Sequence, residues 1–162
     1  TVQDTIRNNG FRDEPVFVLY HTNWGFPVIN ENAWLEAVEH EIVPRDDVAA
    51  EGADQWMRLQ PPTAGFREKV YYHHVPPDDD GEASMTLHSP DAGLVAEVSW
   101  QTDTLPCMIQ WKMMSQGAYA MGLEPSNCYV GGRNDALERG PHCILKPGES
   151  KTFKIGIRIH ES

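Results

Sequence analysis

The stretch KTFKIGIRIH, residues 151–160, decides the fold class. Its apolar and polar side chains alternate over the whole length, and the apolar positions are Phe153, Ile155, Ile157 and Ile159. A period of two predicts a β-strand with one apolar face. Residues 93–101, GLVAEVSWQ, alternate in the same way. Both segments therefore predict half-buried strands rather than helices.

Other short segments carry the same β-strand signal between turn residues. They are PVFVLYH (15–21), KVYYHHV (69–75), SMTLH (84–88), MIQWKM (108–113) and AYAMGL (118–123). Residues 89–93, SPDAG, are a suitable hairpin connection. Residues 32–40 read equally as helix or extended chain, and residues 46–59 favour one turn or a short helix. Several short strands without a long helix predict an all-β sandwich or barrel, which we treat as one domain over residues 1–162.

The totals limit the class of protein and its partners. The chain has 162 residues and a formal net charge of −11. An acidic surface repels phosphate backbones and anionic lipids, so we expect no nucleic-acid partner and no membrane partner. The three cysteines have no CxxC spacing, and no signal peptide is visible. Reduced thiols and the lack of a visible signal peptide predict a cytoplasmic protein.

His21 and Glu124 are the strongest candidates for proton transfer. His21 stands at a predicted strand end before Asn23, Trp24 and a glycine, where binding loops leave a rigid sheet. Glu124 lies between Gly122 and Pro125, and a partly buried carboxylate at such a place is a good general base. The alternatives are a hydrogen-bonded surface histidine and an exposed turn glutamate.

A second group of candidates is polar or aromatic. Arg67 and Glu68 precede the strand that carries His73 and His74, and the period of two puts Glu68 and His74 on one face. Ordinary strand residues with one wet face would give the same pattern. Trp24 offers a flat surface to a sugar ring. Trp111 either packs in the core or contacts a ligand, while Lys112 points to the opposite face.

Taken together, six segments resemble the galactose mutarotase (aldose 1-epimerase) superfamily, most closely its uncharacterised aldose-1-epimerase-like branch. They occur in the family's order and are LYHTNWGFPVIN (19–30), PRDDVAAEG (44–52), GFREKVYYH (65–73), LPCMIQWKMM (105–114), YAMGLEPSN (119–127) and LKPGESKTFKIGI (145–157). The resemblance implies a β-supersandwich and a sugar bound on a concave sheet. It is most specific where Tyr-His-x-Asn-x-Gly and Leu-Glu-Pro occur together.

The resemblance also implies an activity, which is anomer interconversion of a monosaccharide or sugar derivative through ring opening. Glu124 matches the family's base and His21 its acid. Asn23, Trp24, Arg67, Glu68, His74 and Trp111 are the expected substrate-binding residues. The reaction needs no metal ion and no organic cofactor, and we expect neither.

Members of the superfamily are about twice as long, and the matches fall in their later part. The resemblance therefore implies the C-terminal half of the sandwich, which would pair with the missing N-terminal half or self-associate because a half sandwich exposes an apolar face and strand edges.

Two other functions remain open at this stage. The same pocket would serve a carbohydrate-binding protein that does no chemistry. A cupin-like metal enzyme is the other alternative, with possible ligands at His21, His73, His74, His88 and Glu124. No GxGxxG, P-loop, HExxH or GxSxG motif occurs.

Overall fold

The computed structural model describes residues 1–162, and strands dominate it. In chain order the strands are β1 (Val2–Arg7), β2 (Glu14–Val16), β3 (Thr22–Gly25), β4 (Trp34–Glu36), β5 (Glu41–Pro44), β6 (Lys69–His74), β7 (Glu82–Ser89), β8 (Leu94–Gln101), β9 (Cys107–Ser115), β10 (Ala118–Ser126), β11 (Cys143–Leu145) and β12 (Ser150–Glu161). The helices are α1 (Asp47–Ala50) and α2 (Arg133–Arg139), with a 3₁₀ turn at Ala53–Gln55. Neither helix has the length and hydropathy that crossing a bilayer requires.

Two five-stranded antiparallel sheets form a sandwich. The first sheet has the order β1-β12-β8-β7-β4, and the second has the order β3-β10-β9-β6-β5. A two-stranded ribbon of β11 and β2 lies beside them. The predicted all-β sandwich is confirmed. The hairpin expected at residues 89–93 joins β7 to β8 with Ser89 opposite Leu94.

The main core lies between the two sheets, where the alternating strands place their apolar sides. The first sheet contributes Met85, Leu87, Val98, Trp100 and Phe153, and the second contributes Tyr71, Met108, Met114, Met121 and Leu123. All ten are essentially inaccessible to water. Burying side chains of this size contributes about 1.5–3 kcal/mol each, which makes this layer the main source of stability.

The second sheet also carries an apolar patch on its other face. Val70, Tyr72, Cys107 and Ile109 are buried there as a separate cluster, and Leu19, Trp111 and Tyr129 pack against it. Since residues two apart share a face, the even-numbered residues of β6 and the odd-numbered residues of β9 belong to this face. We call it the outer face of the second sheet.

The segment 15–21 differs from the single strand predicted for it. The chain instead pairs with β11 through β2, leaves that ribbon, and joins β10 as β3 from Thr22 onward. The reason is a competing set of hydrogen bonds made by a buried asparagine. Asn127 accepts a hydrogen bond from the Val18 amide at 2.6 Å and donates one to the Val16 carbonyl at 3.0 Å.

Some elements have signals too weak to predict. β1 is mostly polar and exposed at a sheet edge, and β11 has only three residues. Residues 32–40, which read as helix or extended chain, form β4 with flanking turns. The short helix expected within residues 46–59 is present as α1 and the 3₁₀ turn, and Asp46 caps α1 by accepting from the Ala49 amide.

The buried Asn127 side chain yields a test of this architecture. Asn127→Ala leaves the Val18 amide and the Val16 carbonyl without partners, so the free energy of unfolding should fall by about 1–3 kcal/mol. Urea unfolding measures the change. Asn9→Ala is the control, because Asn9 is exposed and its side chain makes no hydrogen bond. Equal effects of the two substitutions would contradict the role of Asn127.

Candidate functional site

Strand pairing brings His21 and Glu124 to one place on the outer face. β10 is an inner strand of the second sheet, with the edge strand β3 on one side and β9 on the other. Leu123 pairs with Thr22, so the next residue of β10 meets the residue that precedes β3. The two side chains are far apart in sequence and adjacent in space because of this antiparallel register.

The His21 imidazole and the Glu124 carboxyl are in contact. Nε2 of His21 lies 3.0 Å from Oε1 of Glu124, and the two side chains are 48% and 4% exposed. The approach lacks hydrogen-bond geometry, and the buried Oε1 has no hydrogen-bond partner within the chain. The pair therefore consists of a solvent-facing imidazole above a carboxyl group that is removed from water.

Burial changes the acidity of the carboxyl group. Withdrawal from water raises the pKa of Glu124 to about 7, since the neutral form loses less hydration than the charged form. At neutral pH the group is then divided between acid and carboxylate. A group in this state can both accept and return a proton, which is the property that a general base needs.

Gly122 makes room for this carboxyl group. Gly122 and Glu124 share a face of β10, and the glutamate side chain folds back over the glycine. A β-carbon at position 122 would overlap with Oε1 of Glu124 well inside van der Waals contact. The Glu124 carboxyl can occupy this position only because residue 122 is a glycine, which has no side chain.

A small cavity opens over the pair. It has a volume of about 180 Å³ and is lined by Leu19, His21, Arg45, Val70, Ile109, Trp111, Glu124 and Val130. The imidazole, the carboxyl and a guanidinium provide its polar groups, and aliphatic side chains and an indole provide the rest. The His21 and Trp111 rings meet edge to face with centroids 6.0 Å apart. A polar group fixed against an apolar wall suits a sugar ring, which has hydroxyls and apolar faces.

A hydrogen-bonded network supports the rim of this cavity. Nη1 of Arg45 forms an ion pair with Oε1 of Glu68 at 3.0 Å, and Trp111 donates from Nε1 to Oε2 of the same carboxylate at 2.9 Å. The Trp111 bond and the Arg45 charge lower the pKa of Glu68, so it stays ionised and holds both neighbours. Sequence reasoning missed Arg45. The signal lay within the segment PRDDVAAEG, but nothing local distinguished it from a surface arginine.

The other predicted substrate-binding residues lie in different places. Asn23 shares the outer face with His21 and is exposed next to it. His74 is on the same face but is hydrogen-bonded to the Tyr129 hydroxyl at 3.3 Å, away from the cavity. Trp24 points to the opposite side and packs against the main core. Arg67 is exposed and makes no ion pair. The structure thus gathers His21, Glu124, Trp111, Glu68 and Asn23, and not the other three.

The histidines of the metal alternative are dispersed. His73 is buried in the sandwich, where its Nδ1 is 2.8 Å from Nε2 of His40. His88 lies on the first sheet, stacked on Trp34 with centroids 4.7 Å apart. No three histidine, cysteine or acidic side chains are grouped as a metal site would need.

Comparison with known proteins identifies a family and a fold. The family described as "Domain of unknown function (DUF4432)" matches residues 1–159. No curated protein sequence matches significantly. A crystal structure named a "putative aldose 1-epimerase" from Klebsiella pneumoniae is 25% identical, with a TM-score of 0.92 over 98% of this chain. A galactose mutarotase related enzyme from Lactobacillus acidophilus is 12% identical, with a TM-score of 0.68 over 98% of this chain.

These likenesses confirm the resemblance to the galactose mutarotase superfamily and its β-sandwich. A galactose mutarotase-like protein from Clostridium acetobutylicum adds a third match, with a TM-score of 0.64 and 12% identity over 99% of this chain. The chain spans 42% of the Klebsiella protein, 56% of the Lactobacillus protein and 52% of the Clostridium protein. The shared part is therefore about half of each relative.

The raised pKa of Glu124 predicts a specific pH dependence of stability. The folded pKa of about 7 exceeds the unfolded value of 4.5, so the wild-type protein loses stability as the pH rises through this window. Glu124→Gln lacks this titration. Its free energy of unfolding relative to wild type should therefore rise by about 3 kcal/mol between pH 4.5 and 8.

Urea unfolding at several pH values measures this difference. Glu39→Gln removes an exposed carboxylate that makes no ion pair, and it serves as the matched control. A constant difference between wild type and Glu124→Gln across the window would contradict the burial of an unpaired carboxyl group.

Proposed function

We propose that this chain, which belongs to the DUF4432 family, binds a monosaccharide or sugar derivative beside His21 and Glu124 and interconverts its anomers by acid–base ring opening. The observation that carries the proposal is the buried Glu124 carboxyl, with a pKa of about 7, in contact with the His21 imidazole. Ring opening removes a proton from one oxygen and delivers a proton to another. A carboxyl group with a pKa of about 7 beside an imidazole suits this exchange, because one group can take a proton while the other gives one.

The proposed steps balance without any further reactant. Glu124 as carboxylate takes the proton of the anomeric hydroxyl, and protonated His21 gives a proton to the ring oxygen. The bond between the anomeric carbon and the ring oxygen breaks, which leaves an open-chain aldehyde. Rotation of the aldehyde and reversal of the two proton transfers form the other anomer and restore both side chains.

The remaining residues of the cavity would bind and orient the sugar. The Trp111 indole, held by Glu68, offers an apolar surface. Arg45 presents donors at the rim, and exposed Asn23 is within the same face. The names of the structural relatives, an aldose 1-epimerase assignment and two mutarotase-related proteins, support a sugar as substrate.

A second candidate is sugar binding without turnover. The cavity of about 180 Å³ favours it, because sites for small molecules usually enclose about 300–1,000 Å³. His21 is also half exposed, so water has access to the imidazole. Catalysis then requires further walls around the sugar, and a second half of the fold or a second copy of the chain would supply them. We keep residues 1–162 as one domain within this proposal.

We also propose that the protein is located in the cytoplasm. Cys107, Cys128 and Cys143 are all free thiols, and the first two are buried. Unpaired thiols are usual in reducing compartments, which supports the cytoplasm.

Activity measurements on two variants test the acid–base proposal. Glu124→Gln and His21→Asn should each lower the anomer exchange rate by about 10²–10⁴, the usual contribution of a positioned acid or base. Polarimetry or exchange NMR on freshly dissolved neutral sugars gives the rate, and Glu138→Gln on exposed α2 is the control. No acceleration by the wild-type protein over a broad sugar panel would contradict catalysis. Sugar binding unchanged by Glu124→Gln would then select the binding function.

Gly122→Ala tests the placement of the base separately. The new methyl group forces the Glu124 carboxyl out of its position, and a displacement of about 1 Å costs roughly 100-fold in rate. Gly25→Ala is the matched control on the neighbouring strand, since a β-carbon there would meet only the Tyr119 carbonyl at 3.9 Å. The exchange rate should therefore fall in Gly122→Ala alone. Equal rates in both variants would show that Gly122 does not position the base.

A further inference from the structure

A second cavity lies on the core-facing side of the second sheet. It has a volume of about 280 Å³, and its polar walls are Gln55, Arg58, Gln60, Lys69, Tyr71 and Lys112. None of its lining residues is acidic, although the whole chain carries a net charge of −11. Three cationic side chains, Arg58, Lys69 and Lys112, therefore line one cavity of an acidic protein.

Two of these cations lie directly opposite each other on adjacent strands. Lys69 of β6 pairs with Lys112 of β9, and both side chains point to the same face. Like charges at directly opposed positions of an antiparallel pair destabilise a sheet. The Lys69 charge, after burial, is a cause of the lowered pKa of Lys112, which is about 8.

Neutral groups alone partner these ammonium groups. Lys112 is 7% exposed and donates to the carbonyls of Arg58 at 2.6 Å, Trp56 at 3.3 Å and Gln55 at 3.4 Å. Lys69 donates to the Glu51 carbonyl. Neither lysine makes an ion pair, and the Arg58 guanidinium has neither an ion pair nor a hydrogen bond. Carbonyl dipoles hold the lysines in place but leave the net positive charge unbalanced.

The wall of the cavity also holds an unused donor. Tyr71 is fully buried, and its hydroxyl has no hydrogen-bond partner. Burial and the charges of Asp54 and Asp46 raise the pKa of Tyr71 to about 12, so the hydroxyl keeps its proton. Neither aspartate lines the cavity, and Asp46 is bonded to Arg45 at 2.9 Å. A buried hydroxyl without a partner in the protein calls for an explanation, and an ion bound beside it is one.

We propose that this cavity binds a small oxyanion, such as phosphate, sulfate or the phosphate group of an ester, between Lys69, Lys112 and Arg58. The anion supplies the counter-charge that the opposed lysines lack, and it accepts a hydrogen bond from the Tyr71 hydroxyl. The site is separate from the proposed sugar cavity, because Trp111 and Lys112 are consecutive in β9 and point to opposite faces. One ligand cannot reach both cavities through the sheet.

Calorimetric titration of the whole chain with sulfate and with inorganic phosphate tests the proposal. Sodium chloride at equal ionic strength is the baseline. We expect saturable binding of both oxyanions. Arg58→Gln should weaken the affinity about tenfold, the effect of losing one hydrogen bond to a charged group, and Lys69→Gln should do so independently. Arg7→Gln, which makes the same charge change at an exposed position of β1, should leave the affinity unchanged.

Two results would overturn the site. One is the absence of saturable binding above the chloride baseline. The other is an equal loss of affinity in Arg58→Gln and Arg7→Gln, because it would show that only the overall charge matters. Glycerol phosphate as a third titrant identifies the source of the group. Tighter binding than inorganic phosphate assigns the site to phosphate esters, and weaker binding assigns it to the free ion.

Discussion

The withdrawal of one carboxyl group from water is the constraint on which the candidate site depends. Glu124 has an oxygen with no hydrogen bond inside the protein, so its ionised form is destabilised where it stands. Only a rigid support can hold such a group. β10 provides that support because strands pair with it on both sides, and Gly122 leaves the space that the side chain occupies. The local chemistry thus depends on the stability of the whole sheet.

The second sheet serves two purposes because both of its faces are apolar. One face closes the main core, and the other carries a smaller cluster with the imidazole and the carboxyl at its edge. Asn127 connects the fold of the second sheet to the candidate site. Its side chain fixes the irregular segment before His21, while its backbone continues from the end of β10. The two hydrogen bonds of the Asn127 side chain therefore stabilise the fold and also fix the segment that leads to His21.

Sequence reasoning predicted the features that local patterns encode. Alternation identified six of the strands closely, from β6 to β10 and β12, and the family resemblance paired His21 with Glu124. Sequence reasoning could not identify the features that depend on which strands pair and in which register. Trp24 and His21 are three positions apart and lie on opposite faces, which follows from where β3 begins. Arg45 directly follows β5, lines the cavity and forms an ion pair with Glu68. No local sequence pattern indicates a contact of this kind between distant segments. The break of segment 15–21 was missed because Asn127, over a hundred residues away, causes it.

The consecutive placement of Trp111 and Lys112 limits how this protein can evolve. β9 is paired on both sides, so a residue inserted or deleted ahead of this dipeptide would shift the strand by one register and exchange the two faces. The indole would then enter the interior, and the ammonium would enter the opposite cavity. Changes in length are consequently confined to the loops around β9, whereas changes of side-chain type within it remain open to selection.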